Sequence, residues 1–324
     1  MPEAVPQQMK AAALQRFGGL EELELRTIPV PRCGEDDVLV RLEAAGVAVW
    51  DPLEREGAMA GLWDHAPRFP YVPGSDGAGV VAAVGENVER FKEGDRVYVT
   101  AFGNEKGGTY AEYVAVHQDY VAAIPAGVSV EQAATLASDG ITALCGLEAL
   151  DLKEGETLLI FGASGGVGHM ALQLARQLGA KVCAIASRED GVQLVRQLGA
   201  EAVAEGHDDR AIDETCRAFA PEGFDAALAL AGGERCQQAL AHVRKGGRIA
   251  APEGVEPPPV APPGHTIRAF NGIPTVERFD RLNRLIESAP FHLEVDHLYP
   301  MDQVRAAHRA VLEHHIGKLA LRIH

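Results

Sequence analysis

The chain has 324 residues, enough for about two domains and a large buried core, and carries a formal charge of −16. That acidity argues against nucleic acid or an anionic membrane as partner, although it leaves room for one anionic ligand in a local basic site. No apolar run is long enough to span a bilayer, no charged-then-apolar start marks a signal segment, and the five cysteines (Cys33, Cys145, Cys183, Cys216, Cys236) are scattered without a Cys-x-x-Cys pair, as expected of reduced thiols in the cytoplasm and not of a disulfide framework or a zinc cluster.

Residues 1–8 read as a loose tail, because regular patterning begins near Met9. From there to about residue 125 the chain is a series of short β-like runs, "DVLVRLEAAGV", "GAGVVAAVGENV", "DRVYVT" and "GTYAEYVAV", separated by Gly, Asn and Asp. From 126 to 266, strand-like "TLLIFG", "KVCAIAS", "AEAVAE", "FDAALALAG" and "GGRIAAP" alternate with helical spacing, the pattern of a doubly wound parallel sheet. Residues 267–324 resume with "HTIRAFNG", a helix "TVERFDRLNRLIESA", a strand near "HLYP", a helix "MDQVRAAHRAVLEHH" and a final strand "KLALRIH". The stretch "EGVEPPPVAPPG" is too rich in proline for a regular element and is expected as a loop. The fold class is therefore α/β, a Rossmann-type sheet joined to a β-rich module.

The most informative segment is "LLIFGASGGVGHMALQLARQLGA". Thr157 to Phe161 is a short apolar run suited to a buried parallel strand. From Val167 the apolar positions Met170, Ala171, Leu174 and Leu178 keep helical spacing, and Gly179 falls where a helix-ending glycine belongs. The loop between them, Gly162, Ser164, Gly165, Gly166, Val167 and Gly168, opens a helix whose N-terminus carries unpaired N–H groups and partial positive charge. Glycines let phosphates approach such a backbone closely, and a second strand, Lys181 to Ala186, follows on schedule. Strand, glycine loop, helix and strand together point to dinucleotide binding.

In order, "AAGVAVWDPL", "VPGSDGAGVVAAVGENVERFKEGDRV", "GGTYAEYV", "ASDGITALCGL", "FGASGGVGHMALQLARQLGA" and "HHIGKLALRI" resemble the medium-chain dehydrogenase/reductase superfamily, specifically its zinc-free quinone oxidoreductase branch, to which zeta-crystallin belongs. The resemblance runs over essentially the whole chain from Met9. It implies a GroES-like catalytic domain made of residues 1–125 and 267–324 and a Rossmann domain over 126–266. The implied activity is NADPH-dependent hydride transfer to a quinone or an α,β-unsaturated carbonyl. The alternatives are a zinc-independent dehydrogenase of another small carbonyl and a non-catalytic, crystallin-like NADPH-binding protein. A homodimer is implied as well, although the proline-rich stretch lies near the sheet edge through which the family commonly pairs.

Where zinc-dependent members of the superfamily place cysteine and histidine ligands, this chain has Ala48, Ser75 with Asp76, and Ser138. None offers imidazole or thiolate, so no metal is expected. Without a Lewis acid, an acceptor that is already electron-poor is favoured. For the adenosine end, Ala186 stands where an acid would bind the ribose, and Ser187 and Arg188 follow, a hydroxyl and a guanidinium suited to a 2′-phosphate. The rival arrangement has Glu189 or Asp190 on the ribose. The resemblance also implies Thr142 and Lys318 near the cofactor and Trp50, Asp51 and Tyr71 along a substrate cleft. Bland readings stand beside them: a core threonine, a surface lysine, a core tryptophan, a structural acid. Trp63, Phe102 and Phe270 are further candidates for an aromatic lining with Tyr71.

Overall fold

The computed structural model describes residues 4–323. One compact unit holds the chain up to Ser138, Pro274–Asn283 and the stretch from Val295 onward; the other holds Asp139–Ile273 and Arg284–Glu294.

The chain opens with an antiparallel pair, β1 (Gln8–Ala13) and β2 (Glu24–Pro29). Residues 1–3 of the expected loose tail lie outside the described residues. Its C-terminal end is fixed: Gln8 already belongs to β1, and the Gln7 carbonyl accepts the Val30 N–H at 3.1 Å. Next come β3 (Asp37–Val47), the short helix α1 (Asp51–Glu56), β4 (Asp76–Val84), β5 (Arg96–Thr100), β6 (Tyr113–His117) and β7 (Val121–Ala123). Then α2 (Val130–Ala133) and α3 (Ala137–Ala149) lead to the alternating segment. That segment runs β8 (Thr157–Phe161), α4 (Gly166–Gln177), β9 (Lys181–Ala186), α5 (Arg188–Gln197), β10 (Ala202–Glu205), α6 (Asp209–Phe219), β11 (Phe224–Ala229), α7 (Glu234–Leu240), β12 (Val243–Pro252) and β13 (Ile267–Phe270). The return is α8 (Val276–Ser288), β14 (Val295–Pro300), α9 (Val304–Ala310) and β15 (Lys318–Arg322).

In the first unit β3 is the spine. It pairs antiparallel with β4, β6 and β15. Val38, Leu39, Val40, Leu42, Ala44, Ala45 and Val47 are all buried, so β3 reads as a nearly continuous apolar run because both of its faces are covered. Each fully buried Val or Leu contributes about 1.5–3 kcal/mol.

The second unit is a six-stranded parallel sheet in the order β10-β9-β8-β11-β12-β13. The order reverses beside β8, and ligands of such sheets bind outside the carboxyl ends of the strands at that reversal. The apolar face of α6 and residues of α7 pack on it around Leu159, Cys183, Ile185, Phe224 and Ile249. The units part at other points than 125/126 and 266/267. The carbonyl of Ala134 in the α2–α3 turn lies against Gly46 of β3, and Ser138 bonds Asp76, which keeps this segment with the first unit. β13 hydrogen-bonds β12 and so stays with the parallel sheet. The helix expected over 301–315 is shorter, a 3-10 turn at Met301–Gln303 followed by α9, because the chain must leave it to enter β15 at Lys318. Among the described residues no helix is long and apolar enough to cross a membrane.

Candidate functional site

The glycine loop shows why three glycines stand at this spacing. Gly162, directly after β8, has φ +87°, a turn that a side chain would strain. The N–H groups of Gly162 and Ala163 both donate to the Ile185 carbonyl, at 3.1 and 2.9 Å, which ties the loop to β9. A Cβ on Gly168 would lie 2.2 Å from the Gly162 oxygen and 2.7 Å from the Ala163 Cα, so only glycine lets α4 come this close to the loop. A Cβ on Gly165 would meet nothing nearer than 3.7 Å. That side of the loop is open. Gly165 caps α4 in an extended conformation with no side-chain cap, so the first-turn N–H groups of Gly166, Val167 and Gly168 have no intrahelical acceptor. An uncapped helix N-terminus behind a backbone that a ligand can approach closely fits a pyrophosphate. Ser164 takes a different part from the one expected of it. Its hydroxyl is buried, accepts the Ser187 N–H at 3.4 Å and lies under Gly191, so it joins the loop to α5.

At the end of β9, Ala186 pairs with Glu205 of β10. Ser187 caps α5 and Arg188 is exposed, with φ +58°, an uncommon conformation for a residue with a side chain. Glu205, which sequence reasoning missed, holds it there: Oε1 accepts the Arg188 N–H at 2.9 Å and faces His207 Nδ1 at 2.8 Å, while Oε2 accepts the His207 N–H at 2.7 Å. Partial burial pushes the Glu205 carboxyl up, but these hydrogen bonds outweigh it and hold it below the usual carboxylate range. Glu189 bonds Gln193, and Asp190 accepts the Gly191 N–H, so both acids serve the start of α5. On α3, half-buried Thr142 is packed by backbone: a Cβ on Gly272 would lie 2.2 Å from its hydroxyl oxygen.

In the first unit, Trp50 caps α1 and its indole N–H donates to the Ser75 hydroxyl at 3.0 Å. Lys318, buried at the start of β15, places Nζ 5.5 Å from the centre of the Trp50 ring. The Ser138 hydroxyl donates to Asp76 at 2.5 Å and its N–H at 3.1 Å. The polar side chains at these positions bond one another, Ala48 beside them is buried, and no imidazole or thiolate stands there. Among the described residues no group of three His, Cys, Asp or Glu could hold a metal ion.

Asp51 and Tyr71 do not line an open cleft. Asp51 is fully buried; its Oδ2 accepts the Ala48 N–H at 2.7 Å and the Tyr110 hydroxyl, and its Oδ1 is buried without a hydrogen-bond partner. Tyr71 donates its proton to Glu54 at 2.5 Å, and Glu54 accepts the Gly74 N–H through its other oxygen at 3.1 Å. Burial lifts both carboxyls. Asp51 is lifted further by Glu54 and drawn back by its hydrogen bonds and by Lys318. Burial and Glu54 push the Tyr71 hydroxyl well above its ordinary value. A phenol so placed is a committed structural donor. Trp63 stacks on Tyr71 with ring centres 5.4 Å apart, and Phe17, which sequence reasoning missed, meets both rings. Phe102 is exposed, and Phe270 belongs to β13 in the other unit.

The alcohol dehydrogenase GroES-like domain matches residues 34–126 and the zinc-binding dehydrogenase family matches residues 166–262. A quinone oxidoreductase of Sus scrofa is 32% identical over 94% of this chain and 94% of its own length. A chloroplastic NADPH-dependent alkenal/one oxidoreductase of Arabidopsis thaliana is 34% identical over 94% of this chain and 76% of its own. Among solved structures, a quinone oxidoreductase of Coxiella burnetii superposes with a TM-score of 0.82 at 26% identity, covering 98% of this chain and 100% of that one. An NAD-dependent alcohol dehydrogenase superposes with a TM-score of 0.86 at 28% identity, with the same coverage.

Proposed function

The chain belongs to the quinone oxidoreductase branch of the medium-chain dehydrogenase/reductase superfamily and is an oxidoreductase, and from that premise we propose that it is an NADPH-dependent, zinc-independent reductase of quinones or α,β-unsaturated carbonyls. The observation that carries the reading is the glycine loop, closed against β9 on one side and open at Gly165 on the other. The first-turn N–H groups of Gly166, Val167 and Gly168 would hold the pyrophosphate. Ser187 and Arg188 would hold the 2′-phosphate. Glu205, which holds the Arg188 backbone, already has both oxygens engaged by Arg188 and His207, which makes it a weaker acceptor for a ribose hydroxyl and supports NADPH over NADH. Thr142 and Lys318 remain proposed cofactor contacts.

When bound, a reduced nicotinamide supplies a hydride. The chain's own part is to bind, orient and exclude water. Trp50 offers an aromatic face suited to a flat acceptor, fixed by its bond to Ser75. Ala48, Ser75 and Ser138 offer no zinc ligand set, so an acceptor needing no Lewis acid fits best. Asp51 and Tyr71 are committed inside the protein, so the proton would come from solvent or from another hydroxyl. The five free cysteines fit a reducing compartment, read here as the cytoplasm. A homodimer belongs to the same reading.

The test is NADPH and NADH oxidation, followed by absorbance, against quinones and enones, with and without a chelator. Turnover preferring NADPH and indifferent to chelation supports the proposal. Chelator-sensitive turnover overturns zinc independence, and NADPH binding with no turnover on any acceptor replaces the enzyme with a binding protein.

A further inference from the structure

His169 lies inside the helix that carries the glycine loop, on the face opposite the apolar stripe of Val167, Met170, Ala171 and Leu174. It is fully buried. Its backbone N–H makes the first helical bond of α4, to the Gly165 carbonyl at 3.0 Å, and its Nδ1 reaches the same carbonyl at 2.9 Å. Its other nitrogen, Nε2, lies 3.3 Å from the backbone N of Glu294. A carbonyl only accepts and a backbone N–H only donates. Nδ1 must therefore carry the proton and Nε2 must be bare, so the two partners fix one neutral tautomer. One turn on, Gln173 repeats the connection, donating to the His292 carbonyl at 2.8 Å and accepting the His292 N–H at 2.8 Å. Two side chains on one face of α4 thus anchor the cofactor-loop helix to residues 292–294.

We propose that neutral His169 is a positioning residue for the cofactor loop, and that its protonation weakens nicotinamide-cofactor binding by breaking the link between Gly165 and Glu294. The inference rests on the cofactor reading above. Gly165 is the cap of α4 and the open flank of the loop, so the direction of its carbonyl sets where the first-turn N–H groups point. A proton on Nε2 would set two donors, that N–H and the Glu294 N–H, against each other inside the protein, and a buried donor without an acceptor is costly. The charged groups facing the ring are Asp139 of α3 and His292 and Glu294 of the anchored segment. Burial lowers the His169 pKa and outweighs the hydrogen bond to the Gly165 carbonyl and the attraction of Asp139 and Glu294. With the folded value below the ordinary value of about 6.5, the anchor is intact at and above pH 6.5 and is lost only as pH falls through that lower folded value.

NADH is the probe, because it lacks the 2′-phosphate that itself titrates near pH 6. Its dissociation constant is measured by fluorescence from pH 8.5 to 5.5 for the wild type, His169→Gln and His169→Phe, with the melting temperature of each recorded. Glutamine keeps an acceptor for Glu294 and does not titrate; phenylalanine keeps the shape and loses both bonds. The wild type should weaken progressively toward the acid end of the range, His169→Gln should follow a flat line near the wild-type value at pH 8.5, and His169→Phe should bind weakly throughout while melting cooperatively. The ring nitrogens of His169, read by NMR without cofactor at pH 8, should show the Nδ1–H tautomer. Parallel pH profiles for wild type and His169→Gln, or the Nε2–H tautomer, overturn the inference while leaving the cofactor reading standing. Failure of the wild type to bind either NADH or NADPH overturns both.

Discussion

Replacing Gly165 with alanine separates two uses of glycine that the motif places side by side. At Gly165 φ is −78° and ψ −179°, ordinary extended backbone, and the nearest atom to an added Cβ is 3.7 Å away. Nothing in the protein opposes the methyl group. Folding stability should hold, or rise by up to about 1 kcal/mol through the stiffer unfolded chain. The methyl group would occupy the space through which a phosphate must come to reach the first-turn N–H groups. Losing one or two hydrogen bonds to a charged oxygen costs about 1.5–3 kcal/mol each, so NADPH should bind at least about 10-fold more weakly, with about 100-fold within reach. Gly168→Ala is the counterpart. There the Cβ would fall 2.2 Å from a carbonyl oxygen, and the loop must shift by about 1 Å to admit it. Overpacking of this kind costs about 1–3 kcal/mol, so this variant should lose stability and affinity together. Thermal melts and fluorescence titration with NADPH read both quantities. If Gly165→Ala keeps its melting temperature and binds NADPH like the wild type, the loop is not the phosphate cradle and the argument from its open flank is wrong.

Three further outcomes follow from the same geometry. Arg188→Ala should reduce NADPH affinity about 10-fold and leave NADH nearly unchanged, so equal losses on both cofactors would remove Arg188 from the 2′-phosphate site. Glu205→Gln keeps the acceptor for the Arg188 N–H but removes a carboxylate at the adenosine end, so NADPH should tighten severalfold relative to NADH; an unchanged ratio would place that charge out of reach. Asp51 titrates up to about 7 in the folded protein against 3.8 unfolded, so the folded state binds the extra proton and stability should fall as pH rises from about 4 to about 7. Asp51→Asn should flatten that slope, as measured by urea unfolding at pH 5 and pH 8.

What was legible in the sequence was local. β8 and β9 fall at Thr157–Phe161 and Lys181–Ala186, as their apolar runs predict, because a parallel strand covered on both faces has a uniform composition. Gly162 and Gly168 are readable for the same reason, since each answers a backbone demand within six residues of itself. The carboxylate network was not readable. Asp51 meets Tyr110 across 59 positions and feels Lys318 from the far end of the chain, and neither distance leaves a period in the sequence. Tyr71 looked available because a tyrosine among aromatics resembles a site lining. Its environment is decided by Glu54 of α1, a carboxylate that is almost wholly buried 17 positions away.

The same contrast separates the two halves of the proposed activity. Cofactor binding depends on backbone N–H groups and on the absence of Cβ atoms, and glycine spacing records both directly. Under the proposed function, acceptor choice would depend on side chains whose partners come from distant segments, such as Trp50, bonded to Ser75 and overlaid by Lys318. A substitution at Ser75 would therefore remove the indole hydrogen bond and leave the backbone bonds of the glycine loop in place. Under that proposal acceptor preference should drift more readily than cofactor binding, because side-chain contacts from positions 75 and 318 hold the Trp50 ring, whereas the loop is held by the backbone itself.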